Sequence, residues 1–266
     1  MAHSPVNSQL ETTLSQSVVL GQPVTRASVS QVLDEMVAFA KAKIASYTCV
    51  ASVHSLVEGF LNPFHHNVLC QAHIVTPDGR PIGLAMTSLS NQYQEQVAGL
   101  DLLTGLLKRC EEEHLSVYVF GGDVEALRAF ELIAMQRHPG LKLLGTHSPP
   151  FSSVETLVSE TYVEMLKAAS PDVVLVSLGC PKQEAWMYHM VVKYAACYVG
   201  IGYALSVYAG VAKRAPEWMR RGCLEWLYRL SEKPAQLLLR YVGSNTTFLM
   251  WFIPKLILHK LAQVLK

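Results

Sequence analysis

The chain has 266 residues, 50% of them hydrophobic and only 16% charged, with a net charge of +1. High apolar content with little net charge excludes an intrinsically disordered chain, and the length suits one large domain, or one domain with an appendage, around an ample core. The 16 Gly and 13 Pro follow no period and the six Cys form no C-x-x-C pair, which excludes collagen-like, disulfide-scaffold and redox-dithiol classes.

Scattered thiols point to a reducing compartment, the cytoplasm. Residues 1–22 are rich in Ser, Thr, Gln and Asn, lack a basic stretch followed by an apolar one, and read as a flexible tail without a leader pattern. From residue 23 to 212 the pattern is that of one α/β domain. Val29 to Ile44 has apolar residues at helical spacing, Tyr47 to Val53 is β-prone, Leu56 to Leu69 is helical, and His73 to Thr76 is a strand stopped by Pro77-Asp78-Gly79. Leu100 to His114 is a helix. Val117 to Phe120 is a buried-type strand ending in Gly121-Gly122, followed by a helix from Asp123 to about His138. Strands over 141–146, 173–178 and 197–202 alternate with helices over 154–169 and 186–193. This alternation predicts a mostly parallel, Rossmann-like sheet flanked by helices, with the loops after the strands on one ligand-binding edge.

Sequence character changes near residue 213. From there to residue 266 stand ten Lys or Arg and three Glu, against twelve basic and eighteen acidic residues before it. The basic end is also apolar and helical, with expected helices over 218–229 and 234–242 and a terminal run, Phe248 to Leu261, interrupted by Pro254 and Lys255. That run falls short of the roughly 18–20 uninterrupted apolar residues of a spanning helix and suits a segment lying in an anionic membrane interface. Docking on the protein's own core, or an oligomer contact, is the alternative. Arg214, Arg220, Arg221, Arg229 and Arg240 around Trp218 and Trp226 would also suit a nucleic-acid clamp, but the apolar flanks favour lipid over nucleic acid.

Several strand ends carry chemistry. Gly121-Gly122 before a helix N-terminus suits an anion or a plain tight turn equally. Asp78 is a candidate proton acceptor, although a turn aspartate usually bonds its own backbone. Lys182 and Gln183, opening a helix after Gly179-Cys180-Pro181, suit phosphate and sugar or base contacts, or an ordinary solvated helix turn. Gly200-Ile201-Gly202 repeats the glycine theme. There is no G-x-G-x-x-G, P-loop, G-x-S-x-G, D-x-D or H-E-x-x-H string, and the ten His show no metal-like spacing; a lone His147 at a strand end is more often structural.

Taken together, Gly145-Thr146-His147 with Phe151, Pro181-Lys182-Gln183-Glu184, Gly200-x-Gly202 with Tyr208-Ala209-Gly210, Arg214-Ala215-Pro216 and Leu224-Glu225-Trp226-Leu227-Tyr228-Arg229-Leu230 resemble the WecG/TagA/CpsF glycosyltransferase family (glycosyltransferase family 26) from about residue 28 to 245. The resemblance implies a Rossmann-like body with a membrane-docking appendage at the inner face of the cell membrane. It implies inverting transfer, without metal or cofactor, from a UDP-sugar to a polyprenyl-diphosphate-linked saccharide of a cell-envelope or exported polysaccharide. It places the catalytic base on Asp78, donor contact on Gln183, and appendage arginines meeting the lipid diphosphate on Arg214, Arg221 and Arg229. Ser52, Gly121, Gly122, Thr146, Lys182, Gly200, Gly202 and Ser206 complete the expected substrate-binding set. Val50-Ala51-Ser52 stands where the family usually has Thr-x-Asn, Gln96 where it has Arg, and Leu205-Ser206 where it has Phe-Asp. These changes alter which substrate groups the pocket can pair, and they keep open the alternative of a non-catalytic, membrane-docked module of a polysaccharide assembly complex.

Overall fold

The computed structural model describes residues 12–264. An antiparallel pair, β1 (Gln16–Val19) and β2 (Gln22–Thr25), precedes a six-stranded sheet of β3 (Ser46–Ala51), β4 (Ile74–Pro77), β5 (Ser116–Gly121), β6 (Lys142–His147), β7 (Val173–Ser177) and β8 (Cys197–Gly200). The sheet order is β4-β3-β8-β7-β5-β6, and every neighbouring pair is parallel. Strands β3, β4, β5, β7 and β8 are buried almost throughout. This is why they read as near-continuous apolar runs rather than alternating ones. Successive side chains divide between two cores: Tyr118, Phe120, Val174, Val176 and Tyr198 on one face, Val117, Val119, Val173, Leu175 and Val199 on the other.

The tail expected over residues 1–22 lies outside the described residues up to Glu11, and from Gln16 the chain forms the β1–β2 pair instead. The hairpin has a structural use. Thr25 Oγ1 accepts the Val75 N–H at 3.0 Å, which covers the β4 edge of the sheet.

Helices cover both faces: α1 (Val29–Lys41), α2 (Val53–Leu61), α3 (Pro63–Cys70), α4 (Arg80–Ser90), α5 (Gly99–Glu112), α6 (Val124–Arg137), α7 (Val154–Leu157), α8 (Glu160–Ala169), α9 (Lys182–Met190) and α10 (Ala204–Tyr208). The single helix expected over 56–69 is two. A residue before proline is driven out of the helical region, so Asn62 is extended (φ −120°) and ends α2, while its Oδ1 accepts the N–H groups of Phe64 and His65 and caps α3. The helix expected over 154–169 likewise divides at Ser159. The sequence reading missed α4, which begins directly after Pro77-Asp78-Gly79 with Pro81 in its first turn.

Beyond residue 213 lie α11 (Glu217–Arg221), α12 (Glu225–Glu232) and one 31-residue helix, α13 (Pro234–Val264), which runs through Pro254 and joins the two helical stretches expected there. One row of α13 faces the body: Arg240 is half-buried, and Ser244 (4% exposed) and Phe248 (3%) are buried. Phe248 joins the main core with Trp251 and Phe252 packed against it, and Ser244 Oγ lies 2.9 Å from His54 Nδ1 on α2. The opposite row leaves Leu239, Val242, Met250, Ile257 and Leu258 exposed. The terminal run is therefore docked on the core along one side and apolar toward solvent along the other. No helix among the described residues is long and apolar enough to cross a membrane.

Candidate active site

Because the strands are parallel, their carboxyl ends share one edge, and a cleft of about 320 Å³ opens there beneath residues 213 onward. Ser52 after β3, Asp78 after β4, Gly179 and Cys180 after β7, and Gly200 to Gly202 at the end of β8 form its body side. Lys213, Arg214, Arg229 and Arg240 enter from the appendage. A second hollow of about 90 Å³ adjoins it and shares Ser52, Asp78, Glu225 and Arg229.

Asp78 does not spend its carboxylate on its own turn. Its Oδ1 accepts the Gly99 N–H at the start of α5, at 2.8 Å. The N-cap residue of α5, Ala98, has no side chain able to do this, so an aspartate from another strand end supplies the cap. Gln96 Nε2 donates to the Asp78 carbonyl at 2.5 Å and fixes the turn from the other side. Burial and the Glu225 carboxylate raise the Asp78 pKa to about 6, against the opposing pull of the Gly99 N–H and Arg229. A carboxylate held there is ionised near neutrality yet basic enough to take a proton.

Gln183 is buried in the first turn of α9. Its Oε1 accepts the Gly202 N–H at 2.9 Å. The amide occupies the space beside Gly200, where a Cβ would lie 2.5 Å from Nε2. A side chain at 200 would have to displace the Gln183 amide and the Met187 methyl group. Ser206 on α10 lines the cleft, and Ser52, also on its wall, caps α2 by accepting the Ser55 N–H.

The appendage is tied down over this edge. Arg214 Nη2 donates to Asp101 Oδ2 at 2.8 Å. The Arg229 guanidinium stacks 4.2 Å from the Tyr203 ring centre, and Tyr203 Oη donates to Glu232 at 2.6 Å.

Of the residues singled out from sequence, Asp78, Ser52, Gln183, Gly200, Gly202, Ser206, Arg214 and Arg229 meet in the cleft. Five do not. Gly121 (φ +98°) and Gly122 (φ +87°) are packed against Ser177 and Leu205, where a Cβ would come within 2.4 and 2.5 Å, so their role is close packing of a turn. Thr146 donates to Glu131 at 2.6 Å. Lys182 turns outward, donates to the Ser152 carbonyl at 2.7 Å and lies over the Phe151 ring. Arg221 pairs with Glu217 on the exposed side of α11. His147 stacks on Phe120 away from the cleft.

Sequence reasoning missed Tyr203 and Lys213 as lining residues, and it quoted Cys180 and Glu184 only as neighbours of Lys182 and Gln183. Glu225 and Tyr228 were in its quoted string, and Arg240 was in its basic series, but without a place. It also found no metal-like cluster, whereas the fold brings His65, Cys180 and Glu184 together, with one ligand atom of each within 4.8 Å of the others.

A parallel sheet with a cleft at its strand ends, lined by a buried carboxylate and four cationic side chains, defines a Rossmann-like α/β protein. The model of the glycosyl transferase WecG/TagA/CpsF family matches residues 17–261, and the chain belongs to that family of glycosyltransferases. The N-acetylglucosaminyldiphosphoundecaprenol N-acetyl-beta-D-mannosaminyltransferase of Bacillus spizizenii is 31% identical over 184 residues, 67% of this chain and 68% of that protein. Proteins of the same name from Bacillus subtilis and Staphylococcus aureus are each 31% identical, over 175 and 160 residues. Those alignments cover 64% and 60% of this chain and 65% and 61% of the relatives, less than two thirds of their length.

Proposed function

We propose that this protein is an inverting glycosyltransferase moving an N-acetylhexosamine, hexosaminuronic acid or hexose from a UDP-sugar to a polyprenyl-diphosphate-linked saccharide, in the assembly of a cell-envelope or exported polysaccharide. The observation that carries the reading is Asp78: a carboxylate with its pKa raised to about 6, at the strand-end edge of the sheet, facing a cleft with four appendage cations. The names of the relatives favour N-acetylmannosamine as the first donor sugar to try and N-acetylglucosaminyl-diphosphoundecaprenol as the first acceptor.

Asp78 removes the proton from an acceptor hydroxyl as that oxygen attacks the anomeric carbon from the face opposite the nucleotide. The bond from that carbon to the diphosphate breaks, and UDP leaves with the electron pair. Lys213, Arg214, Arg229 and Arg240 offset the charge of the diphosphates, in place of a divalent ion bridging them. Gln183 orients the donor from the cleft wall. The outward apolar row of α13, with Lys255 and Lys260, rests on the anionic cytoplasmic leaflet and brings the cleft to its lipid-linked acceptor.

The test is transfer by the purified full chain with a panel of UDP-sugars and polyprenyl-diphosphate acceptors, beside calorimetric titration with UDP. Product with at least one donor, lost in Asp78→Asn, supports the reading. Transfer that persists in Asp78→Asn removes Asp78 as the base. Absence of UDP binding by the folded chain favours a non-catalytic module.

A further inference from the structure

Behind the Gln183 wall of the cleft, three residues from distant parts of the chain converge. His65 stands on α3, Cys180 in the loop after β7, and Glu184 in the first turn of α9, with one ligand atom from each within 4.8 Å of the other two. His65 and Glu184 are each 1% exposed. Gln183 Nε2 approaches Glu184 Oε1 at 3.5 Å, whereas Oε2 is buried without a hydrogen-bond partner among the described residues, as is Nδ1 of His65. Burying such groups without a partner is costly, and the glycosyl-transfer chemistry above uses none of the three side chains.

We propose that His65, Cys180 and Glu184 bind one divalent transition-metal ion of the zinc class. An imidazole nitrogen, a thiolate and a carboxylate are the ligand set such borderline ions take, and not the oxygen cage that magnesium or calcium requires. Tetrahedral zinc with bonds of about 2.0–2.3 Å places its ligands about 3.5 Å apart, so side-chain shifts of about 1 Å close the site. Binding displaces the thiol proton of Cys180 to solvent. Thiolate and carboxylate then cancel the charge of the ion, so the filled site is neutral beside the Arg240 guanidinium. Cys180 and Glu184 also line the cleft, so the fourth position opens toward it. An ion held there braces the first turn of α9, which carries Gln183; it is not a diphosphate-bridging ion.

The full chain, stripped with a chelator and free of any histidine tag, is titrated with cobalt(II) and then with zinc. The expected result is a thiolate-to-cobalt charge-transfer band with visible absorption of tetrahedral intensity, saturating at one equivalent and erased by zinc. Cys180→Ser abolishes the band. Glu184→Gln retains it but weakens binding by about tenfold or more. A rival thiol–imidazole pair exists on the surface, where Cys70 Sγ lies 3.5 Å from His66 Nε2, so Cys70→Ser is the control and leaves the band intact. Lack of a charge-transfer band in the unsubstituted protein overturns the proposal. So does a band that survives Cys180→Ser and disappears in Cys70→Ser. These readouts involve no sugar transfer, so they stand or fall apart from the enzymatic reading.

Discussion

The Asp78 carboxylate and the Gly99 amide, 21 residues apart, are joined by a 2.8 Å hydrogen bond that makes the proposed proton acceptor also the cap of α5. The bond stabilises the charged form and lowers the pKa. Burial and the Glu225 carboxylate outweigh it, and the balance falls at about 6. The base works only when ionised, so kcat/KM should fall as pH drops through about 6. Glu225→Gln removes a charge that raises this pKa, and the acidic limb should move to lower pH. Asp78→Asn keeps an oxygen for the cap but no basicity, and should cost on the order of a hundredfold or more in transfer. A pH–rate profile of the three proteins is the check; a limb unmoved by Glu225→Gln contradicts the electrostatic account.

Gly200→Ala should disable the cleft without unfolding the sheet. The new Cβ would stand 2.5 Å from Gln183 Nε2, so the amide must swing away and release the Gly202 N–H. Leaving that buried N–H unpaired costs about 1–3 kcal/mol, and UDP binding should weaken by about fivefold or more in calorimetry. Gly243→Ala is the matched control, because a Cβ at Gly243 meets nothing within 4 Å. It should bind UDP normally and melt no lower than the parent.

Asn62 caps α3 with one side-chain oxygen shared between two amides. Asn62→Ala should reduce unfolding stability by about 1 kcal/mol, read from denaturant midpoints at unchanged slope. A neutral result would mean that Pro63 alone holds the break between α2 and α3.

Leu239 and Met250 on the outer row of α13 are 86% and 73% exposed, so replacing both by Glu should leave the fold intact. Each apolar side chain withdrawn from a bilayer forfeits about 1.5–3 kcal/mol, and the double variant should lose cosedimentation with anionic vesicles. Binding of the parent protein should weaken as salt rises, because Lys255 and Lys260 contribute through a screened field. Unchanged sedimentation of the double variant would remove α13 as the contact.

The sheet was legible because strands buried on both faces are written as apolar runs that stop at glycine, as in Val117 to Gly121. Asp78 was legible as a carboxylate at a strand end. Its bond to Gly99 was not, because only the crossover from β4 to α5 brings the two together. The break at Asn62 was hidden by apolar spacing that stays in phase across it, although Pro63 was the available signal. Lys182 stands out by its charge, yet it points outward in the first turn of α9, whereas Gln183 and the buried Glu184 beside it face inward. No spacing rule joins His65 to Cys180 and Glu184, since their meeting depends on how α3 and α9 lie over the same face of the sheet.

Helix α13 carries Arg240 into the cleft and Leu239 into the surroundings from adjacent positions along one rod. Whatever the outer row adheres to, its tilt is transmitted to the guanidinium by an element too stiff to bend between neighbouring residues. Attachment at the outer surface and the arrangement of charge inside the cleft are in this way mechanically a single variable.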